Sequence, residues 1–163
     1  MWILVTSPGL EWIERDIRAS AGRARFLTPA LEEVGQDMMR TTKIQFESGG
    51  RRGGGSWSFP SADWEARKLK EGGDPRPLIQ TGRLMKSVTR EGSSEMILDI
   101  KGNKLTFGSR VPYADVHQHG DPARNIPARP FLVFLESDQN RWRKIITGWI
   151  VDPMKRRRGT FRA

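Results

Sequence analysis

The chain has 163 residues, enough for one domain of ordinary size with appendages and too few for two comfortable ones. Its 28 Lys and Arg against 19 Asp and Glu leave a formal charge of +9, which favours a polyanionic neighbour, although a basic surface that only aids solubility explains it equally well. Cysteine is absent, which excludes disulfides, thiolate catalysis and cysteine-based zinc or iron–sulfur sites.

The apolar opening Met1-Trp2-Ile3-Leu4-Val5 ends at Thr6-Ser7-Pro8-Gly9. It falls short of the roughly 20 residues a membrane helix needs and of a signal-peptide core, so the chain is expected in the cytoplasm when made, with no membrane partner. Residues 2–6 read as a short strand, and after Pro8-Gly9 the spacing of Leu10, Ile13 and Ile17 predicts a short helix. A longer helix of about five turns is predicted to open at Thr28-Pro29, with Thr28 as the cap and Pro29 at the first helical position. Glu32 and Glu33 oppose its positive end, and Leu27, Leu31, Val34 and Met38 form a stripe that continues toward Phe46 before Gly49-Gly50. The glycine-rich run 48–63, with adjacent Arg51 and Arg52, has a composition that rarely packs and reads as a mobile loop.

A short helix is expected from Trp64 to Lys70, followed by a link held extended by Pro75 and Pro77. Thr81 can cap another short helix carrying Leu84 and Val88. Met96, Leu98 and Ile100, then Leu105 and Phe107, alternate about Gly102-Asn103, the pattern of a β-hairpin. The apolar run RPFLVFL at 129–135 fits either a further strand or a buried coil. Ser137 is placed as the cap of a last helix in which Trp142, Ile145, Ile146, Trp149 and Ile150 recur, with Asp152-Pro153 as its stop. Trp142 and Trp149 are expected as core aromatics. The fold class is therefore α+β: an antiparallel sheet with a central hairpin, packed by a long N-terminal helix and a C-terminal helix. One domain is expected over 1–152, with a basic tail over 153–163.

Chemistry-bearing clusters are few. His117 and His119, with Asp115 nearby, are the only metal-ligand types in proximity, but they lack a third protein ligand, so no metal is expected. Arg51-Arg52-Gly53-Gly54-Gly55 lacks the Lys-Ser or Lys-Thr of a phosphate cradle, and no serine lies in a nucleophile elbow. No catalytic residue, cofactor or enzymatic activity is expected.

Four segments stand in order: WEARKLK over 64–70; Gln80-Thr81-Gly82-Arg83-Leu84 with Ser87; Tyr113-Ala114-Asp115-Val116-His117-Gln118-His119-Gly120; and Ile126-Pro127-Ala128-Arg129-Pro130-Phe131-Leu132. Over roughly Trp64 to Ile150 they resemble the phage virion-morphogenesis and tail-completion family, whereas the glycine and arginine content of 48–61 departs from it. The resemblance implies a structural virion protein at the tail or neck, forming a ring of six subunits or a multiple of six. It also implies head–tail connector or adaptor proteins, and tail terminator or tail tube proteins, as neighbours. Double-stranded DNA would pass through the ring without being read for sequence.

On this reading Tyr113, His117, His119, Arg129 and Phe131 belong to an assembly interface, with Pro127 and Pro130 stiffening the strut that carries the last two. The hairpin and strut would form one ring contact and the N-terminal helices the other. Arg51, Arg52, Lys155, Arg156, Arg157 and Arg158 are expected to face DNA or a partner. A monomeric, sequence-independent nucleic-acid-binding protein is the alternative, and a metal-dependent hydrolase centred on His117 and His119 a third reading.

Overall fold

The computed structural model describes residues 11–58, 62–72, 74 and 76–158, and the side chains among these except 11–14, 16, 62 and 152–158. The strand expected over 2–6 lies outside the described residues. In chain order the elements are α1 (Glu11–Arg25), α2 (Thr28–Glu47), α3 (Ala62–Lys70), α4 (Arg83–Thr89), β1 (Met96–Lys101), β2 (Lys104–Ser109), α5 (Ala114–His119) and α6 (Glu136–Arg158). Among the described residues the two strands form an antiparallel hairpin, registered from Met96 opposite Ser109 to Lys101 opposite Lys104. The chain is α+β.

Helix α2 is the spine, packing against the hairpin, α4 and α6. It buries Leu31, Val34, Met39 and Phe46, while Met38 is only half-buried. The cap falls one residue earlier than the sequence implies, on Leu27, with no side-chain cap bond. Thr28 is already helical, and Pro29 in the first turn has no N–H to satisfy, so one fewer donor needs a cap. Gly35 marks where the hairpin lies on the helix backbone, since a Cβ there would come within 2.9 Å of Leu98 Cδ1.

The described part of the glycine-rich run, 48–58, is packed against the rest of the fold. Trp57 is buried in the main core with Phe46 and Phe131, its ring edge-on to Phe46 at 5.4 Å. Gly50 has φ +92, and a Cβ on it would stand 2.4 Å from Trp57 Cδ1, so this glycine makes room for an indole. Arg52 turns inward to the Asp138 carboxylate and donates to Val133 O at 2.9 Å. Composition alone cannot separate glycines needed for close approach and positive φ from glycines of a loose linker, which explains the different expectation.

The run 129–135 is a coil whose backbone is satisfied by side chains. Gln118 Oε1 accepts from Phe131 N and Leu132 N, each at 3.1 Å, and its Nε2 donates to Leu132 O at 3.2 Å. Gln45 Nε2 and Trp57 Nε1 donate to Pro130 O at 2.9 and 3.2 Å. With these partners the segment can be buried without joining a sheet.

At α4 the cap is Gly82, with φ +71, and the Thr81 hydroxyl accepts from Arg83 N at 3.3 Å. At α6 the stabilising residue is Asp138 and not Ser137: its Oδ2 accepts from Leu135 N at 2.8 Å, the reciprocal half of a capping box. Helix α6 also continues through Pro153 to Arg158. Pro153 has no N–H for the carbonyl of Trp149 four residues back, and Arg23 Nη1 of α1 donates to that oxygen at 3.1 Å instead. Arg23 lies 5.3 Å from the Trp149 ring centroid, and Trp149 Nε1 donates to Phe26 O at 3.1 Å, so the same contacts join α1 to α6. Trp142 and Trp149 are accordingly half-buried, while among the described residues the buried tryptophan is Trp57, in the core with Phe46 and Phe131.

Candidate functional site

Helix α5 begins after Tyr113 and ends at Gly120, whose φ of +82 turns the chain toward Asp121. A Cβ on Gly120 would lie 2.8 Å from Ala128 N, so glycine allows the strut to return against the end of α5. Asp121 and Ile126 exchange backbone hydrogen bonds of 2.8 and 2.9 Å to close the turn, and Arg129 N then donates to His117 O at 2.7 Å. This lays Arg129 beside His117.

The four motif segments converge on one open cleft of about 580 Å³. Trp64 and Lys68 come from α3, Arg83 from α4, Tyr113 and His117 from the α5 segment, and Arg129 from the strut. Sequence spacing orders these segments but does not bring them together. His117 and Arg129 also line a second cleft, of about 780 Å³, that includes His119 and Gly120.

Lys68, which sequence reading did not single out, organises the wall. It is 6% exposed, and its Nζ donates to Asp74 O, Arg76 O and Ile79 O at 2.7, 3.4 and 2.6 Å while lying 4.5 Å from the Trp64 ring centroid. The carbonyls of Asp74, Arg76 and Ile79 are thereby gathered around an ammonium. Burial pulls the Lys68 pKa down, with Asp74 opposing the change. The available clue was a lysine on the apolar side of a short helix, which is equally typical of a solvated one. Arg83, which also lines the cleft, is occupied by Glu95, its Nε 2.9 Å from Glu95 Oε1.

The expected interface residues divide between core and surface. Phe131 is 1% exposed and belongs to the core. Arg129 is 5% exposed, and its Nε donates to Ser58 O at 3.0 Å. Tyr113 and His119 are exposed, and His119 Nδ1 lies 2.9 Å from Asp115 Oδ1. His117 is half-buried, edge-on to Tyr113 with ring centroids 5.7 Å apart, and among the described residues its Nδ1 is buried without a hydrogen-bond partner. Burial first, and the Arg129 charge second, hold the His117 pKa below its ordinary value.

Both histidines lie on one short helix, and among the described residues no group of three or more His, Asp or Glu is placed to hold a metal ion. Of the residues expected to face DNA or a partner, Arg51 is exposed and Arg52 is consumed within the fold. Lys155, Arg156, Arg157 and Arg158 continue α6, but their side chains lie outside the described residues. Among the described residues no helix is long and apolar enough to cross a membrane.

Comparison with known proteins matches residues 10–150 to the phage virion morphogenesis family, so the match takes in α1 and α2 as well as the segments from Trp64 onward. The chain is 32% identical over 132 residues to Mu-like prophage FluMu G protein 2 of Haemophilus influenzae, covering 78% of each chain. It is 30% identical over 100 residues to an uncharacterised protein of Methanocaldococcus jannaschii, covering 61% of this chain and 71% of that one. No solved structure matches with significance. With four motif segments gathered on one cleft and the match running almost end to end, the chain belongs to the phage virion morphogenesis family.

Proposed function

We propose that this chain is a structural subunit that joins or completes the tail at the neck of a tailed phage, several copies closing into a ring around the DNA channel. A morphogenesis role comes from the family, and the similarity to a Mu-like prophage protein agrees with it. The observation that carries the finer reading is the convergence of all four motif segments on an open cleft built from rigid pieces: a proline strut, two glycine turns and a lysine-anchored link. Such a surface suits shape recognition of a neighbour. A ring needs two unlike surfaces per subunit, and the cleft side and the α1–α6 side are separate candidates. The neighbours would be the head–tail connector or adaptor and the tail terminator or tube proteins. A net charge of +9 per copy suits DNA passing through without sequence readout.

The test is genetic and microscopic. Particles assembled without this chain should accumulate as filled heads and separate tails, and supplying the protein should join them. Normal joined virions in its absence would overturn the proposal.

A further inference from the structure

The cleft between α3, α4, α5 and the strut contains three cations, of which two already have partners. Lys68 has given its three N–H groups to carbonyls, and Arg83 spends its fork on Glu95. Arg129 differs. It is 95% removed from solvent, yet beyond the Nε bond to Ser58 O its guanidinium meets no acceptor and no carboxylate among the described residues. A largely buried cation left without a counter-charge is costly, and among the described residues the Nδ1 of the half-buried His117 beside it has no hydrogen-bond partner. Both residues line the cleft.

The two Nη groups, which meet no acceptor among the described residues, form a planar fork that matches the two oxygens of a carboxylate. A phosphate group would need a further unpaired cation to share its second charge, whereas the Lys68 N–H groups are all given to carbonyls and the Arg83 charge is already paired with Glu95. We propose that this cleft receives the carboxylate of an Asp or Glu side chain from a second copy of the chain, held by Arg129 with His117 at its edge.

The chain carries acids suited to this that cannot reach their own cleft. Glu32 and Glu33 are exposed on α2 and form no ion pair among the described residues. Gln45, which holds Pro130 O next to Arg129, lies twelve residues further along the same helix, about 18 Å from Glu33 at roughly 1.5 Å per residue. A rigid helix of that length keeps them apart within one copy. Between copies the same groups give a head-to-tail contact using two different surfaces, as ring closure requires. The inference therefore rests on the ring reading above.

Sedimentation velocity of the full chain over a concentration series tests both, with Arg129→Gln alongside the parent and folding checked by circular dichroism. The half-assembly concentration should rise by about tenfold or more in Arg129→Gln, a tenfold change being about 1.4 kcal/mol. N-acetyl-L-glutamate added to the parent should dissociate the assembly where sodium chloride of equal ionic strength does not, an arm that decides the matter if the variant does not fold. A parent that assembles and is indifferent to both the variant and the competitor overturns the carboxylate site and leaves the ring standing. A parent that stays monomeric at every concentration overturns the ring and this contact together.

Discussion

Asp138 joins three parts of the molecule through one carboxylate. It is 1% exposed, accepts from Leu135 N at the start of α6, and is paired with Arg52 of the glycine-rich turn and with Arg141 at 2.8 Å. Arg141 in turn bonds Asp37 of α2 at 2.6 Å, and Trp142 Nε1 bonds Asp37 at 2.8 Å. Replacing Asp138 by Asn leaves Arg52 buried without its counter-charge and should cost about 3 kcal/mol in urea unfolding at unchanged slope. A loss under about 1 kcal/mol would show the network to be dispensable.

The same carboxylates give a pH signature. Burial alone raises the pKa of Asp37 and Asp138, but hydrogen bonds from Arg141, Trp142 and Arg40 to Asp37, and from Arg52, the Leu135 N–H and Arg141 to Asp138, outweigh it and hold both below 3.8. Their contribution is present above that unfolded value and lost as pH falls through the folded ones. His117, held below 6.5 by burial and then by Arg129, resists a proton that the unfolded chain accepts. Stability should therefore decline in two steps, the first below about pH 6.5 and the second below about pH 4. His117→Gln should remove the first step only; a first step that survives this substitution would assign it to another group.

At the scale of elements, the α1–α6 pair turns a helix breaker into a docking point. The carbonyl freed by Pro153 is the one that Arg23 reaches, so the two residues should be energetically coupled. Arg23→Met should loosen α1, seen as faster amide exchange over 11–25, and its cost should shrink in a Pro153→Ala background that restores the backbone donor. A coupling of about 0.5–1.5 kcal/mol is expected from the double-mutant cycle. Strict additivity would contradict the account. Elements set by a regular apolar period, α2 and the β1–β2 hairpin, were legible in the sequence. The continuation of α6 was not, because its compensation comes from an arginine 126 positions away. The coil over 129–135 was left open for a related reason: its partners are side chains of Gln45, Arg52, Trp57 and Gln118, and no periodicity records them.

For the whole molecule, the family and the α+β class could be read from ordered motifs, but the cleft could not. Trp64, Arg83, His117 and Arg129 are dispersed over 66 residues, and only the tertiary fold makes them one wall. Trp57 was lost in the same way, since its glycine-rich surroundings look like a linker until Gly50 is seen making room for the ring. On the proposed reading the molecule is a scaffold of fixed surfaces, with recognition assigned to a recessed arginine and a stiff strut. Electron cryomicroscopy of purified virions, at a resolution that separates subunits at the head–tail junction, tests this most directly. The account predicts a closed ring of this chain around the DNA path, each cleft facing the adjoining copy. Virions that carry the chain only away from the junction, or not at all, would contradict it.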